Sequence, residues 1–460
     1  MKISIIGTGY VGLISGACLA NHGHMVTCVD IKPDVAARIN RGETPIYEPG
    51  LEHLLARVVS AGMLRATTDI STAVLDTDIT LICVGTPTAG SEADLTQIAA
   101  ACESIGAALA TKPTYHVVAV KSTVLPGTTE GIVRSTVESA SGRKLGDGWS
   151  LCMNPEFLRE GHAVKDFLSP DRIVIGASDK RAVEVLLRVY AHLDCPKLVT
   201  SPRTAEMIKY VTNSLLATMI SFSNEVANLC SATQAVDARE VWKGVHLDRR
   251  LTPIALQVGR PHGLTEYLWH GLGFGGSCLP KDVQALRGFG RGLGTPTPIL
   301  DAVLATNAEQ PLRLVSVLTR EMDLADRAVA VLGLAFKPGT DDLRDSPALP
   351  VVTALRQHGA RVIVHDPVAM PHARCQGIFE GVTFAPDWQS ALTDVDACCV
   401  VTAWPEYQMI RPDDFIKLMR RPLVIDGRGI YEPDAFAGAG VVWRGIGYTP
   451  EEGARSVRRS

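Results

Sequence analysis

Ten consecutive residues, Gly273-Phe274-Gly275-Gly276-Ser277-Cys278-Leu279-Pro280-Lys281-Asp282, place one thiol in a glycine-rich loop where a helix is predicted to begin. Glycines let a backbone approach a ligand closely and reach φ > 0. Ser277 is expected to cap the helix and Pro280 to suit its first turn. A thiol at a helix N-terminus faces partial positive charge, which favours the nucleophilic thiolate. An arbitrary cysteine is more often a buried structural residue. Here the ordered run of glycines, cap and charges favours a covalent nucleophile.

A second constellation opens the chain. Lys2-Ile3-Ser4-Ile5-Ile6 reads as a buried strand running into Gly7-Thr8-Gly9-Tyr10-Val11-Gly12, an apolar helix to His22, and a strand from Met25 to Val29 that ends in Asp30. Strand, glycine turn, helix, strand and acid together form the dinucleotide-binding fingerprint. Gly7 makes the turn, Gly9 admits the pyrophosphate, and Gly12 lets the helix pack on the sheet. The helix N-terminus then faces the pyrophosphate. Asp30 is placed to accept from ribose hydroxyls and would repel a 2′-phosphate, so the expected cofactor is NAD, with FAD the minor alternative that nothing else in the chain asks for.

The elements that must hold these residues follow from the rest of the chain. Its 460 residues set a prior of roughly two to four domains. The formal net charge is −4 without a basic cluster, which gives no support to nucleic-acid binding. Eleven cysteines without zinc-like pairs point to reduced thiols and no metal. No apolar run approaches a membrane span, and the apolar start is a strand and phosphate loop rather than a signal peptide, so the expected setting is the cytoplasm.

Strand-like and helix-like segments alternate to about residue 200. Thr80–Val84, His116–Val120 and Arg172–Ile175 read as buried parallel strands, with ligand loops such as Gly85-Thr86-Pro87-Thr88 and Lys121-Ser122-Thr123-Val124 after them. From Thr204 to about Thr233, Ile208, Val211, Leu215, Phe222, Val226 and Leu229 recur at helical spacing, a connecting helix suited to dimer packing. Beyond Pro311, Arg327–Gly333 and Arg361–Asp366 repeat the strand theme with a degenerate phosphate loop carrying Phe336 and Lys337. The fold class is therefore α/β, two Rossmann-like doubly wound domains joined by a long central helix. The expected boundaries are 1–203, 204–310 and 311–446, with a mobile tail at 447–460.

In order along the chain stand GTGYVGL, IYEPGLE, VGTPT, KSTV, NPEFLREG, AEMIKYVTN, FGGSCLPKD and LGLAFKPGTDDLRDSP. By this series the chain resembles the UDP-glucose/GDP-mannose dehydrogenase family over nearly its whole length. The resemblance implies NAD-dependent oxidation of the C6 alcohol of a nucleotide sugar to a carboxylate, with two NAD and one water. It implies that Cys278 captures the intermediate aldehyde and passes through a thioester.

Further roles come with the resemblance. Lys209 and Asn213, four apart on one helix face, stabilise the oxyanion and position water or a sugar hydroxyl. Asp282 is a base or water-orienting acid, Glu156 a base in thioester hydrolysis, and Thr123 the holder of a water near the nicotinamide. Read alone, Lys209 would be a solvated helix lysine and Asp282 a first-turn carboxylate complementing the helix dipole. The implied NAD contacts are Gly7, Gly9, Tyr10, Val11, Gly12, Asp30, Thr86, Thr123, Glu160 and Arg344, with Lys32 near the ribose or simply solvated. The implied sugar-nucleotide contacts are Glu156, Phe157, Leu158, Lys209, Asn213, Gly275, Cys278, Phe336, Lys337 and Arg428. Arg250 is the implied contribution of a partner subunit, which makes a homodimer or higher homo-oligomer the expected assembly.

One departure stands out: the stretch between Arg250 and Gly273, through Gly259–Leu264, is longer than the family spacing. IYEPGLE, Leu247-Asp248-Arg249-Arg250 and Asp426–Tyr431 look more like UDP-glucose dehydrogenases, whereas STVLPGT and CLPKD look more like GDP-mannose dehydrogenases. Ser277 stands where the branch acting on N-acetylated sugars has a histidine, which argues against that branch. UDP-glucose is the favoured substrate and GDP-mannose the alternative. A simple two-electron dehydrogenase would have no use for Cys278. A non-catalytic NAD-binding regulator would have lost some of Cys278, Lys209, Asn213 and Asp282.

Overall fold

Alternating side chains of the first strands are buried on opposite faces, which is why they read as unbroken apolar runs. Ile3, Ile5, Leu81, Val117 and Ala119 enter one core; Ile6, Ile82, Val118 and Val120 enter the other. The computed structural model describes residues 1–89, 92–233, 235–248, 250–251, 264–436 and 439–448. The chain divides into two units, Met1–Thr212 with Gly288–Gly294, and Asn213–Arg287 with Thr295–Ser460.

In the first unit, β1 (Lys2–Ile6), β2 (Met25–Val29), β3 (Leu64–Thr67), β4 (Ile79–Ile82), β5 (His116–Val120), β6 (Trp149–Met153), β7 (Ile173–Gly176) and β8 (Lys197–Thr200) form one sheet. Its order is β8-β7-β6-β5-β4-β1-β2-β3, with the chain reversing direction across the sheet at β1 and β4. In doubly wound sheets such a switch point opens the ligand crevice at the carboxyl ends of the strands. The α-helix α1 (Tyr10–Asn21) leaves β1 at that place.

One strand differs from expectation. The run at 172–175 does not join the parallel ladder: β7 meets β6 antiparallel, Met153 opposite Gly176, and is parallel only to β8. The intervening segment, with its short helix α2 (Ala163–Leu168), stays at the carboxyl end of β6 instead of crossing back over the sheet. A strand that starts at that end must run the other way.

The expected central helix is α3, Pro202–Ala232, a run of 31 residues. Tyr210, Ala217 and Ala227 are buried, and Val226 packs partly into the core. Val211, Leu215, Phe222 and Leu229 lie on the other side, 49 to 63 % exposed. Two further helices, α4 (Leu279–Gly292) and α5 (Pro298–Glu321), follow the described part of the segment after α3.

The second unit's sheet comprises β9 (Ala328–Leu332), β10 (Arg361–His365), β11 (Thr383–Phe384), β12 (Ala397–Val400), β13 (Leu423–Asp426) and β14 (Val442–Gly445). The order is β11-β10-β9-β12-β13-β14, every neighbouring pair parallel. This is a second Rossmann-like sheet, but its acid serves the fold. Asp366 accepts from the N–H groups of Leu334, Ala335, Val368 and Ala369 and from the Trp404 indole. A Cβ on Gly333 would strike the Thr402 side chain, so the loop after β9 is closed by the protein itself. Among the described residues no helix is long and apolar enough to cross a membrane.

Candidate active site

The turn between β1 and α1 fits a dinucleotide. Gly7 has φ +94°, and a Cβ on Gly12 would run into the Gly7 carbonyl oxygen. Around Gly9 a Cβ would meet nothing within 4 Å, so its outer side is open. Gly9 occupies the cap position of α1 without a side chain to satisfy the first N–H groups. Those donors and the helix dipole are what a pyrophosphate needs. Asp30 is held by the Thr8 N–H at 3.3 Å, the Thr8 hydroxyl and the Lys32 N–H at 3.0 Å. A carboxylate has about four acceptor positions, so capacity for a ribose hydroxyl remains. The neighbouring carboxyl-end loops are tied together: the Thr86 hydroxyl donates to the Thr123 carbonyl at 2.8 Å.

A buried ion pair lies in the same unit. Lys209 Nζ sits 2.7 Å from Glu156 Oε1, with side-chain exposures of only 4 % and 6 %. The other Glu156 oxygen accepts from the Leu158 N–H at 2.6 Å. Burial works against the charge on Glu156, but Lys209, the Leu158 N–H and Lys121 together hold its carboxyl below the usual range. Phe157 carries the Arg172 guanidinium over its ring at 3.9 Å and the Lys209 ammonium at 5.6 Å. Lys121 donates to Asn154, which also accepts from the Tyr190 hydroxyl. Sequence reasoning made Lys209 solvated unless the family role applied; its side chain is in fact buried against a carboxylate.

In the second unit the cysteine loop is packed by its glycines. A Cβ on Gly276 would lie 2.7 Å from the Phe336 ring, and one on Gly275 would strike the Asp345 carbonyl. The Gly276 N–H donates to the Arg344 carbonyl at 2.8 Å. Asn307 holds the Phe274 backbone from both sides, accepting at 2.7 Å and donating at 3.0 Å. Cys278, not Ser277, takes the cap position of α4: its carbonyl accepts the first helical bond, from the Asp282 N–H at 2.9 Å. The helix starts one residue later than expected, and the Ser277 hydroxyl lies 3.5 Å from the Cys278 sulfur. The half-buried thiol therefore faces a helix start. Elsewhere in the chain, burial pushes the thiols of Cys28 and Cys83 up to about 12. One turn on, buried Asp282 accepts from Asn213 Nδ2 and from Lys281 Nζ, each at 2.6 Å.

Three segments of the chain match the domains of one family. They are its NAD binding domain at residues 1–194, its central domain at 203–309 and its UDP binding domain at 330–433. The UDP-glucose 6-dehydrogenase of Haloferax volcanii is 43 % identical over 94 % of this chain and 97 % of its own. The chain belongs to the UDP-glucose/GDP-mannose dehydrogenase family. The GDP-mannose 6-dehydrogenase of Azotobacter vinelandii is 41 % identical over 80 % of this chain and 81 % of its own. The solved structure of a UDP-glucose dehydrogenase from the archaeon Pyrobaculum islandicum superposes with a TM-score of 0.88 at 42 % identity, covering 97 % and 98 % of the two chains. A UDP-glucose/GDP-mannose dehydrogenase is an NAD-dependent nucleotide-sugar dehydrogenase, and this chain carries both binding domains such an enzyme needs.

The remaining family-matched residues fall into three groups. Arg428 joins the cysteine loop: Nε donates to the Val401 carbonyl at 2.6 Å, with Nη1 3.4 Å from the Gly273 carbonyl and Nη2 3.5 Å from that of Phe336. Burial pulls its guanidinium down to about 10. Lys337 lies over the Phe336 ring at 5.6 Å. Arg344 and Arg250 are salt-bridged to the acids two residues before them, Asp342 and Asp248. The lengthened stretch through Gly259–Gly263, Arg249 and the tail from Thr449 lie outside the described residues. Two partners escaped the sequence reading of the site. Lys281 stood in the loop motif without a role, yet it grips Asp282. Glu48 stood in IYEPGLE without a role, yet it joins Tyr10 to Gly161; an acid followed by the turn signal Pro49-Gly50 gave no hint of a long-range partner.

Proposed function

We propose that this dehydrogenase oxidises the C6 hydroxyl of UDP-glucose to the carboxylate of UDP-glucuronate, consuming two NAD and one water. The observation that carries this reading is Cys278 at the start of α4, one turn from buried Asp282 and its donors Asn213 and Lys281. A nucleophile there is what separates an alcohol-to-acid enzyme from a two-electron dehydrogenase. NAD supplies hydride acceptance, once for each oxidation, and Gly7, Gly9, Tyr10, Val11, Gly12, Asp30, Thr86, Thr123, Glu160 and Arg344 are the residues that would hold it.

In the first oxidation the C6–H bond gives up hydride and the hydroxyl its proton, leaving an aldehyde. The Cys278 thiolate adds to the aldehyde carbon, and the resulting thiohemiacetal oxyanion loses the second hydride to become a thioester. Water then adds to the thioester carbon, the C–S bond breaks, and the carboxylate leaves with Cys278 regenerated as thiolate. Lys209 and Asn213 steady the oxygen charge that develops in each addition. Glu156 and Asp282, both buried and hydrogen-bonded, accept or orient protons of the water. Thr123 would hold a water for the hydride-transfer steps. Phe157, Leu158, Gly275, Phe336, Lys337 and Arg428 are the proposed contacts of the sugar nucleotide, and the cationic pair suits the diphosphate.

The UDP-glucose relatives, which span nearly the whole chain, and Ser277 in the loop support glucose over mannose and N-acetylated sugars. We further propose a cytoplasmic homodimer, with boundaries at 1–203, 204–310 and 311–446. Its support is the exposed apolar stripe Leu215, Phe222 and Leu229 on α3, which a second copy would cover, bringing Arg250 to its neighbour's sugar. Comparing kcat/KM for UDP-glucose, GDP-mannose and an N-acetylated UDP-sugar tests the substrate. Preference for GDP-mannose would overturn the choice.

A further inference from the structure

Glu48 sits 5 % exposed in the loop before the helix Leu51–Ser60, and among the described residues no ion pair explains its buried carboxylate. Its oxygens are taken by three donors from two distant places. The Tyr10 hydroxyl donates to Oε2 from the first residue of α1. The Gly161 N–H reaches the same oxygen at 2.7 Å, and the Ala163 N–H reaches Oε1 at 2.8 Å. Gly161 also lies 3.1 Å from the Tyr10 hydroxyl, so tyrosine, carboxylate and amide close a triangle.

These partners are not arbitrary. Tyr10 follows Gly9, the open point of the phosphate cradle. Gly161, at φ +79°, ends the segment that carries Glu156, Phe157, Leu158 and Glu160. The short helix α2 has no cap of its own, since His162 offers none, and Glu48 satisfies its first N–H from outside. Burial and the neighbouring Glu48 charge raise the Tyr10 phenol far above its ordinary range, so it remains a donor. Arg159 braces the same segment through Asp166 at 2.7 Å.

We infer that Glu48 is a positioning residue that locks the phosphate cradle to the 154–161 loop, so that the cofactor and the Glu156–Lys209 pair share one rigid frame. The inference rests on the NAD reading above. Glutamine at this position keeps the shape but presents an NH2 to donors, whereas phenylalanine at position 10 removes a single hydroxyl.

The test is calorimetric NAD titration of wild type, Glu48→Gln, Tyr10→Phe and the double variant, with amide exchange of the 159–165 segment in the NAD-free proteins. Loss of one charge-assisted hydrogen bond corresponds to about tenfold in binding. Glu48→Gln should bind NAD at least that much more weakly and exchange faster at Gly161 and Ala163. Its KM for NAD should rise more than that for the sugar. Tyr10→Phe should weaken NAD in the same direction, and the double variant should be no worse than Glu48→Gln alone. Unchanged NAD affinity in both single variants, even with a lowered Tm, would overturn the positioning role. Should Glu48→Gln fail to fold, unchanged affinity in Tyr10→Phe alone would overturn it. A wild type without NAD affinity would instead overturn the cofactor reading beneath it.

Discussion

Removing the ammonium from the Glu156–Lys209 pair has a consequence that can be worked out from the structure. The charges are 2.7 Å apart and almost wholly buried. At an effective dielectric of about 20 their attraction is about 6 kcal/mol, most of it offset by desolvation while the pair is intact. Lys209→Met leaves the desolvation of Glu156 in place and removes the attraction, a change that costs about 3 to 5 kcal/mol. The Leu158 N–H and Lys121 remain, which favours the lower end, about 3 kcal/mol.

The pH dependence discriminates this from a packing defect. In wild type the folded Glu156 pKa lies below its unfolded value near 4.5, so its contribution is present above that pH and is lost as pH falls through the folded pKa. In Lys209→Met the folded pKa rises above the unfolded one, and Glu156 opposes folding at neutral pH until it protonates. The stability gap should therefore be widest at pH 7 to 8 and narrow towards pH 5. Urea midpoints across that range measure it, and Lys209→Met with Glu156→Gln should recover part of the loss. A gap below about 1 kcal/mol, or one that does not change with pH, would refute the reasoning.

Other substitutions separate cofactor binding from folding. Gly9→Ala should leave Tm unchanged, because its Cβ meets only open space, but weaken NAD in a titration; Gly12→Ala should lower Tm, because its Cβ collides with the Gly7 carbonyl. His22 and His192 stack at 3.8 Å, with His24 at 5.9 Å from His192. Burial, then the other two rings, pulls His192 down to about 4. Its stability contribution is complete above about pH 6.5 and falls as pH drops towards 4, so His192→Phe should flatten the pH–Tm profile across that window. Replacing Phe222 and Leu229 by serine should shift a sedimenting dimer to monomer, with retention of the dimer contradicting the stripe as interface.

What the sequence revealed divides by the range of the physics. The turn at Gly7–Gly12, Asp30 at the end of β2 and the cysteine loop are dictated by local sterics and short spacings, and they stand where expected. The antiparallel β7 was hidden because an apolar run of four residues carries no direction; only the path of residues 154–172 fixes it. The cap of α4 moved from Ser277 to Cys278 because both flank the same glycine turn, and a one-residue shift decides which carbonyl starts the helix. Glu48 and Lys281 were invisible as site partners for a different reason. Each earns its place through an acceptor or donor that a fold, not a spacing, brings within 3 Å. The periodicity of α3 located the helix, yet the exposed side of its stripe is set by what packs on it.

The most direct test of the central reading counts NADH formed per sugar, with limiting UDP-glucose run to completion on wild type and on Cys278→Ser. Two NADH per UDP-glucose from wild type, and loss of net acid formation in Cys278→Ser while NAD still binds, is the predicted result. One NADH per sugar from wild type, or steady acid production by Cys278→Ser at near the wild-type rate, would contradict it.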